Sequence, residues 1–523
     1  MSSSVTAQSA RSHPDSLTRA GEIPLDGEPV TAFIGPAPRG PVDRPVALAA
    51  AADFEAHFGV PGFHCRMGFA VRQFFANGGR NACVVRVSGT TQRRVIEVPG
   101  PAGPLLLRAR NPGPHEFLRA SVDYDGVADD APQTFNLIIQ RLRAEQSVWI
   151  EEQEYFRRVT VAADSRDYVA KVLAQSNLVA VAEPAPAARP ALTIKRGSLR
   201  EAGYVDASAI PVSSPAPSDY DLIGAAAAHT GLNALEQLSD IASVCLISGA
   251  KDAGIGPVAM VAADRFCRAQ QALLIVDPPE RWRTVDDVVS DQQRSGFTSP
   301  NAVTWFPCMR IPNSSGEYVL ASATGAVAAT LASRASTRDL PRLNEDALLM
   351  QRGGARLDAG FDAHDLQRLA RAGVNGLVQR SANQHELLGK VTQARHACLV
   401  AGLRELEQRR DILFVLRRLQ LGTRWLAFTA SGPQQWQALI TQVQTFFADL
   451  QAHGVLVGGP PASAGCVRCD AQTNSGLPAA TVVFTVVINL AGAVTGLSYR
   501  FTQSRAGCRI SELGKATELA LTG

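Results

Sequence analysis

The sequence predicts a multidomain chain of mixed α/β and α+β class. It reads as a discontinuous core domain with an inserted β-rich module and an inserted α/β module. Three observations carry this. Between 218 and 340, apolar strands alternate with amphipathic helices, the pattern of βαβ units around a parallel sheet. Between 91 and 217, short apolar runs are separated by Pro- and Gly-rich turns, which suits a β-rich module. The segment 25–90 is strand-poor and too small to close a core alone, so 341–510 is expected to pack against it. At 523 residues and 46% hydrophobic content, the chain has the length for several cores.

The elements follow in order. Residues 1–24 are polar and Ser-rich and read as a flexible arm. Residues 30–34 form a short strand closed by Gly35, and Pro36, Pro38, Gly40, Pro41 and Pro45 forbid a helix after it. Asp53 is placed to cap a short helix holding Phe54 and Phe58. Met67, Ala70, Val71 and Phe74 share a helical face that Gly78 and Gly79 end, and 83–87 is a buried-type strand. In 91–217 the strands are 95–98, 105–107, 120–122 and 135–139, with a helical stretch at 167–175 and proline segments at 183–190 and 211–217.

The middle segment 218–340 gives helices at 232–238, 258–272 and 285–293, and strands at 244–247, 273–276 and 302–306. Beyond 341, a helix near 364–372 precedes an arginine-rich helix with Leu403, Leu406, Leu413, Leu416 and Leu419 on one side. Ser431 and Gln434 have capping-box spacing ahead of a stripe of Trp436, Leu439, Ile440, Val443, Phe447 and Leu450. Strands follow at 455–457, 481–488 and 496–501, and 511–523 reads as a tail.

The 51 basic and 48 acidic residues leave a formal charge of +3, without the basic excess of a nucleic-acid binder. No apolar run approaches the roughly 20 residues that cross a bilayer, so no membrane insertion is expected. The polar start lacks a signal-peptide core, which points to synthesis in the cytoplasm. Among nine cysteines only Cys466 and Cys469 form a C-x-x-C pair, with no second pair to complete a zinc site.

Asp277-Pro278-Pro279 follows a parallel-type strand, where active-site carboxylates often sit. Yet no phosphate-cradling glycine motif, no H-E-x-x-H and no G-x-S-x-G accompanies it, so it reads as a structural turn. Glu151, Glu152 and Glu154 read as a solvated face or a salt-bridge surface rather than as paired catalytic carboxylates. Arg404, Arg409, Arg410, Arg417 and Arg418, interleaved with Glu405, Glu407 and Asp411, read as a charged helix face at a protein interface. No catalytic residue, cofactor or metal ligand is expected.

The phrases at 31–42 (TAFIGPAPRGPV), 54–59 (FEAHFG), 70–80 (AVRQFFANGGR) and 83–87 (CVVRV) resemble the start of contractile tail sheath proteins. The likeness continues in order through 107–113, 135–139, 152–156, 231–235, 277–279, 424–428 and 467–470, from about 30 to 510. It departs at 20–25, 320–325 and 387–392. The resemblance implies a sheath core domain and a structural subunit that stacks with copies of itself in six-fold rings around an inner tube protein. It further implies contraction, baseplate and tail terminator partners, and assembly in the bacterial cytoplasm as part of a phage tail, tailocin or injection particle. A specialised sheath paralogue at the baseplate or cap end, and an enzyme using the middle α/β domain, stand as alternatives. Strands near the two chain ends are expected to link neighbours by β-augmentation. The candidates are Ile23, Leu25 and Val30 in the arm, and Phe484, Val486, Ile488, Tyr499 and Phe501 in 481–501, whose free edges would otherwise invite aggregation.

Overall fold

The computed structural model describes residues 21–25, 27–59, 65–193, 203–210, 216–249, 254–312, 318–333, 348–350, 356–357, 360–381, 384–394, 404–457, 467–478, 480–491, 493 and 496–515. The chain opens with β1 (Val30–Gly35), β2 (Pro45–Leu48), α1 (Ala51–Phe58), α2 (Arg66–Ala76) and β3 (Ala82–Arg86). Every residue of β3 is buried, as a run of short apolar side chains in a central strand requires. Phe33 and Phe74 meet edge to face at 5.5 Å and fix α2 on the sheet.

Residues 95–207 form a module with its own core. One sheet joins β4 (Val95–Val98), β5 (Leu105–Ala109) and β9 (Val179–Val181). The other joins β10 (Val205–Asp206), β6 (Leu118–Asp123), β7 (Thr134–Leu142) and β8 (Ile150–Thr160). Between them lie Ile96, Leu107, Phe135, Leu137 and Val169, the last on α3 (Val169–Val172). The acidic run sits on β8, an edge strand, where Glu152 pairs with Arg141 at 2.9 Å and Glu154 accepts the Asn177 amide at 2.7 Å.

After α4 (Asp219–Ile223) and 3-10 turns at Gly231–Gln237, the chain forms β11 (Ile241–Leu246), α5 (Pro257–Gln270), β12 (Leu273–Val276), α6 (Val285–Ser295) and β13 (Ala302–Val303). These strands do not build a sheet of their own. β11 pairs in parallel with β1, and the order is β13-β12-β11-β1-β3-β2. The middle α/β segment is therefore continuous with 25–90 through one sheet, rather than a module inserted between two parts of a core. The physical reason is that β1 is apolar on both faces, so it needs strands on both sides and helices above and below.

The run 302–306, read as one strand, is two. Thr304 donates its hydroxyl to Val276 O at 2.8 Å and accepts Asn375 N through its carbonyl at 3.0 Å. It thereby hands the chain from β13 to β14 (Trp305–Phe306) in another sheet. That sheet orders β14, β19 (Asn375–Ser381), β20 (Gln384–Leu388) and β17 (Leu348–Met350). A third small sheet joins β16 (Tyr318–Ala321), β15 (Met309–Pro312) and β18 (Arg356–Leu357). Between these lie α7 (Thr324–Ser333) and α8 (Ala363–Arg371). α7 crosses α2 with Gly325 against the Ala70 carbonyl, where any side chain would collide.

The C-terminal body holds α9 (Leu406–Gly422), α10 (Pro433–Ala452), β21 (Val467–Arg468), β22 (Val482–Ile488), β23 (Leu497–Ser504) and β24 (Gly507–Lys515). Leu406 and Leu413 of α9 enter the main core beside Phe33, whereas Ile412, Val415 and Leu419 face α10 and the C-terminal sheet. The body thus packs on the main sheet through one shared helix. Gly432 caps α10 with Pro433 at its first position, and Ser431 instead accepts the Trp436 indole N–H at 3.0 Å. Four α9 arginines expected on an outer face are buried. Arg409, Arg410, Arg417 and Arg418 are all under a tenth exposed and join α9 to the main body. The interface they serve lies within the chain.

Candidate functional site

The C-terminal sheet is the first candidate surface. Its strands alternate, so Val482, Phe484, Val486, Ile488, Tyr499 and Phe501 point inward against α9 and α10. Phe484 and Phe501 stack with ring centres 4.7 Å apart. The five strand candidates are thus core residues of this chain. β23 is paired on both sides, by β22 and β24. The outer edge of β22 is met by β21 and by Asn474. That amide donates to Val483 O at 2.9 Å and accepts Val483 N at 2.8 Å, acting as one residue of a neighbouring strand.

The edges expected at 481–488 and 496–501 are therefore closed, because 507–515 continues the sheet where a tail was expected from 511. Beyond β23, no strand lies on the outer side of β24 among the described residues. Ser504 and Gly507 close a two-residue hairpin as a hydrogen-bonded pair, so by alternation Cys508, Ile510 and Glu512 turn their N–H and C=O groups outward.

The arm candidates are anchored too. Ile23 is buried against Gly422, and Gln442 Nε2 donates to Gly21 O at 2.5 Å. Leu25 packs on the same core, and Val30 opens β1 by donating to Asp240 O at 2.9 Å. Residues 1–20 lie outside the described residues. The structure gathers Ile23 and Leu25 with the five strand residues in one core and places Val30 apart.

The 36–41 turn is a joint the sequence reading passed over. Arg86, buried at the end of β3, donates to Ala37 O at 2.9 Å, Gly40 O at 2.7 Å and Pro112 O at 2.9 Å. Burial pulls its guanidinium down to about 10. Gly40, with φ 94°, packs against the His57 carbonyl, and its N–H donates to buried Glu116 at 3.0 Å. Arg39 pairs with Glu151 and Glu116 with Arg141, at 3.4 Å. Together they tie the β-rich module to the main sheet. The available signal was a charged residue, Arg86, inside an apolar strand run.

The chemistry expected of a doubly wound sheet would lie at the C-terminal ends of its strands. There Asp277 is 1% exposed, accepts Ser322 Oγ and Thr324 Oγ1 and faces Arg66 at 3.3 Å. The N-terminus of α5, where a phosphate would bind, is filled by Asp219, which accepts Gly256 N at 3.0 Å and Val258 N and Ala259 N at 3.1 Å. Both carboxylates are committed to holding elements together. Cys469 is buried and its thiol pushed up to about 12; Cys466 lies outside the described residues. Among the described residues, no helix is long and apolar enough to cross a membrane.

No protein-family model matches the sequence, and no curated protein does. Solved structures do. A sheath tail protein from Desulfitobacterium hafniense aligns with a TM-score of 0.56 at 10% identity, over 92% of this chain and 97% of that one. One from Listeria innocua gives a TM-score of 0.60 at 10% identity, over 94% and 97%. The chain has the tail sheath fold. Sheath architecture thus accounts for the central sheet, the β-rich module and the C-terminal body as parts of one fold, and the phrases at 31–42 and 83–87 are the joint that Arg86 fastens.

Proposed function

We propose that this chain is a structural subunit of a contractile tail sheath. It polymerises with copies of itself as stacked six-fold rings around an inner tube, meets baseplate and terminator proteins at its ends, and contracts to drive the tube through a target envelope. The observation that carries this reading is agreement with the sheath fold along nearly the whole of both chains. The commitment of Asp277 and Asp219 to structural bonds supports a role without catalysis.

β24 is the edge at which a neighbour's extended segment adds by β-augmentation, because its outward groups have no strand beside them among the described residues. Contraction then draws on the difference in contact energy between two packings. At about 1–2 kcal/mol per subunit, many subunits release a large, directional total.

Negative-stain microscopy of the purified chain tests the reading. Tubes or stacked six-fold rings are expected. Short stacks that stop growing would favour a specialised subunit at the baseplate or cap. Monodisperse single particles at high concentration would overturn self-assembly.

A further inference from the structure

The hairpin joining β7 to β8 carries an exposed apolar tip. Val148 is 84% and Trp149 69% exposed, and Ile150 beside them is exposed as well. The tip is held in place. Trp149 O accepts Arg143 N at 3.1 Å, and Ser147 Oγ accepts Trp149 N at 3.1 Å. Glu151 pairs with Arg39 of the main body, and Glu145 reaches Arg94 at 3.8 Å. A fixed, water-exposed run of Val, Trp and Ile is the composition of a protein contact, and Trp is enriched among the residues that dominate such contacts.

A second apolar face lies on α5. Ala259, Ala263, Phe266 and Cys267 turn one side of this helix into the core. On the opposite side Val258 and Val261, three residues apart, are each about half exposed, and exposed Arg265 continues the same stripe. Asp219 accepts Val258 N at 3.1 Å and so seats α4 at the start of the helix, where Tyr220 is 76% exposed. Arg265 pairs with no carboxylate among the described residues. The two faces match in kind. The tip is apolar with acidic margins, since Glu145 keeps 62% of its side chain exposed, and the α5 face is apolar with a basic margin. Both are exposed, so neither covers the other within one chain. Because the faces differ, a contact between them is head-to-tail and repeats from copy to copy, as a stacking assembly requires.

We propose that the Trp149 tip of one copy docks on the Tyr220, Val258 and Val261 face of the next copy, with Glu145 facing Arg265. This rests on the sheath reading above and deepens it. The apolar contact supplies the attraction, and the charge pair fixes the register. It joins the β-rich module of one subunit to the central sheet domain of its neighbour, a link separate from the β24 edge.

The test uses the full chain. Trp149→Ser and Val261→Glu alter exposed side chains, so each should keep the wild-type thermal midpoint. Each should raise the concentration at which tubes form by at least about tenfold. In Val261→Glu the new carboxylate lies one turn before Arg265 and faces Glu145 of the docking copy. With p-benzoylphenylalanine in place of Trp149, irradiation under assembly conditions should give a product of doubled mass, joined to α4 or α5 of the second copy. If the midpoint of a variant falls, this cross-link alone decides. Variants that assemble at the wild-type concentration would overturn the docking and leave the sheath reading standing. So would dimers that are absent from assembled material or joined to any other segment. A wild-type chain that stays monomeric at high concentration would overturn both.

Discussion

Replacing Arg86 by methionine keeps the length of the side chain in β3 and removes its donors. Three backbone carbonyls, on Ala37, Gly40 and Pro112, would lose their partners in a buried setting. A hydrogen bond from a charged donor contributes about 1.5–3 kcal/mol. Against this stands the cost of burying the guanidinium, which pulls its pKa from 12.5 to about 10. One pKa unit is about 1.4 kcal/mol, so that cost is about 3 kcal/mol and is recovered in the variant. The net loss expected is about 2–6 kcal/mol. Urea unfolding of the unassembled subunit measures it, as a lower midpoint at unchanged slope. Because Pro112 lies in the β5–β6 connection of the β-rich module, proteolysis near 110–114 should also accelerate. A loss below about 1 kcal/mol would refute the claim that the guanidinium holds the joint, since unpaired buried carbonyls alone cost more.

Glu512→Pro removes one outward N–H from an exposed position on β24 without touching the ladder to β23, so subunit stability should hold while tubes disappear from negative-stain images; abundant normal tubes would show that this edge is not the link. Deleting residues 1–20 should leave the subunit folded, whereas Ile23→Asp should lower its stability by about 2–4 kcal/mol in thermal unfolding, because a charge then faces the α9–α10 core; equal stability of Ile23→Asp would contradict that anchoring. Asp277→Ala removes the acceptor of Ser322 and Thr324 and leaves Arg66 with Glu280 alone, and should cost about 3–5 kcal/mol, rather than passing unnoticed as a change in a surface turn would. Asp470 is held down to about 2 by the Arg468 side chain and the Thr473 N–H. A carboxyl depressed on folding contributes stability above its unfolded value near 3.9 that is lost as pH falls through its folded value, so its NMR titration midpoint should lie near 2. A midpoint near 3.9 would remove the ion pair from the account.

By itself the sequence determined the local elements wherever one periodicity dominated. The stripe on α10 and the alternation of β22 and β23 need only side-chain spacing, and the proline-crowded turn at 36–41 needs only the locked φ of proline. It also carried the fold likeness, through ordered phrases whose members turn out to touch one another at the Arg86 joint. What only the tertiary structure decided was which strands neighbour which, and which charges face inward. β1 is apolar on both faces, and nothing local says that β11, more than 200 residues on, lies beside it. The α9 arginines read as a charged face at a protein interface because charge usually lies on the outside of a chain. Their burial depends on Asp240, Asn301 and Gln271, which arrive from distant segments. Within the C-terminal sheet the free edge moved from the long apolar strands to the polar 507–515, because closing the hydrophobic pair Phe484–Phe501 leaves the last strand outermost. Period is a property of neighbours along the chain; pairing and burial are settled by contacts that the order of residues does not contain.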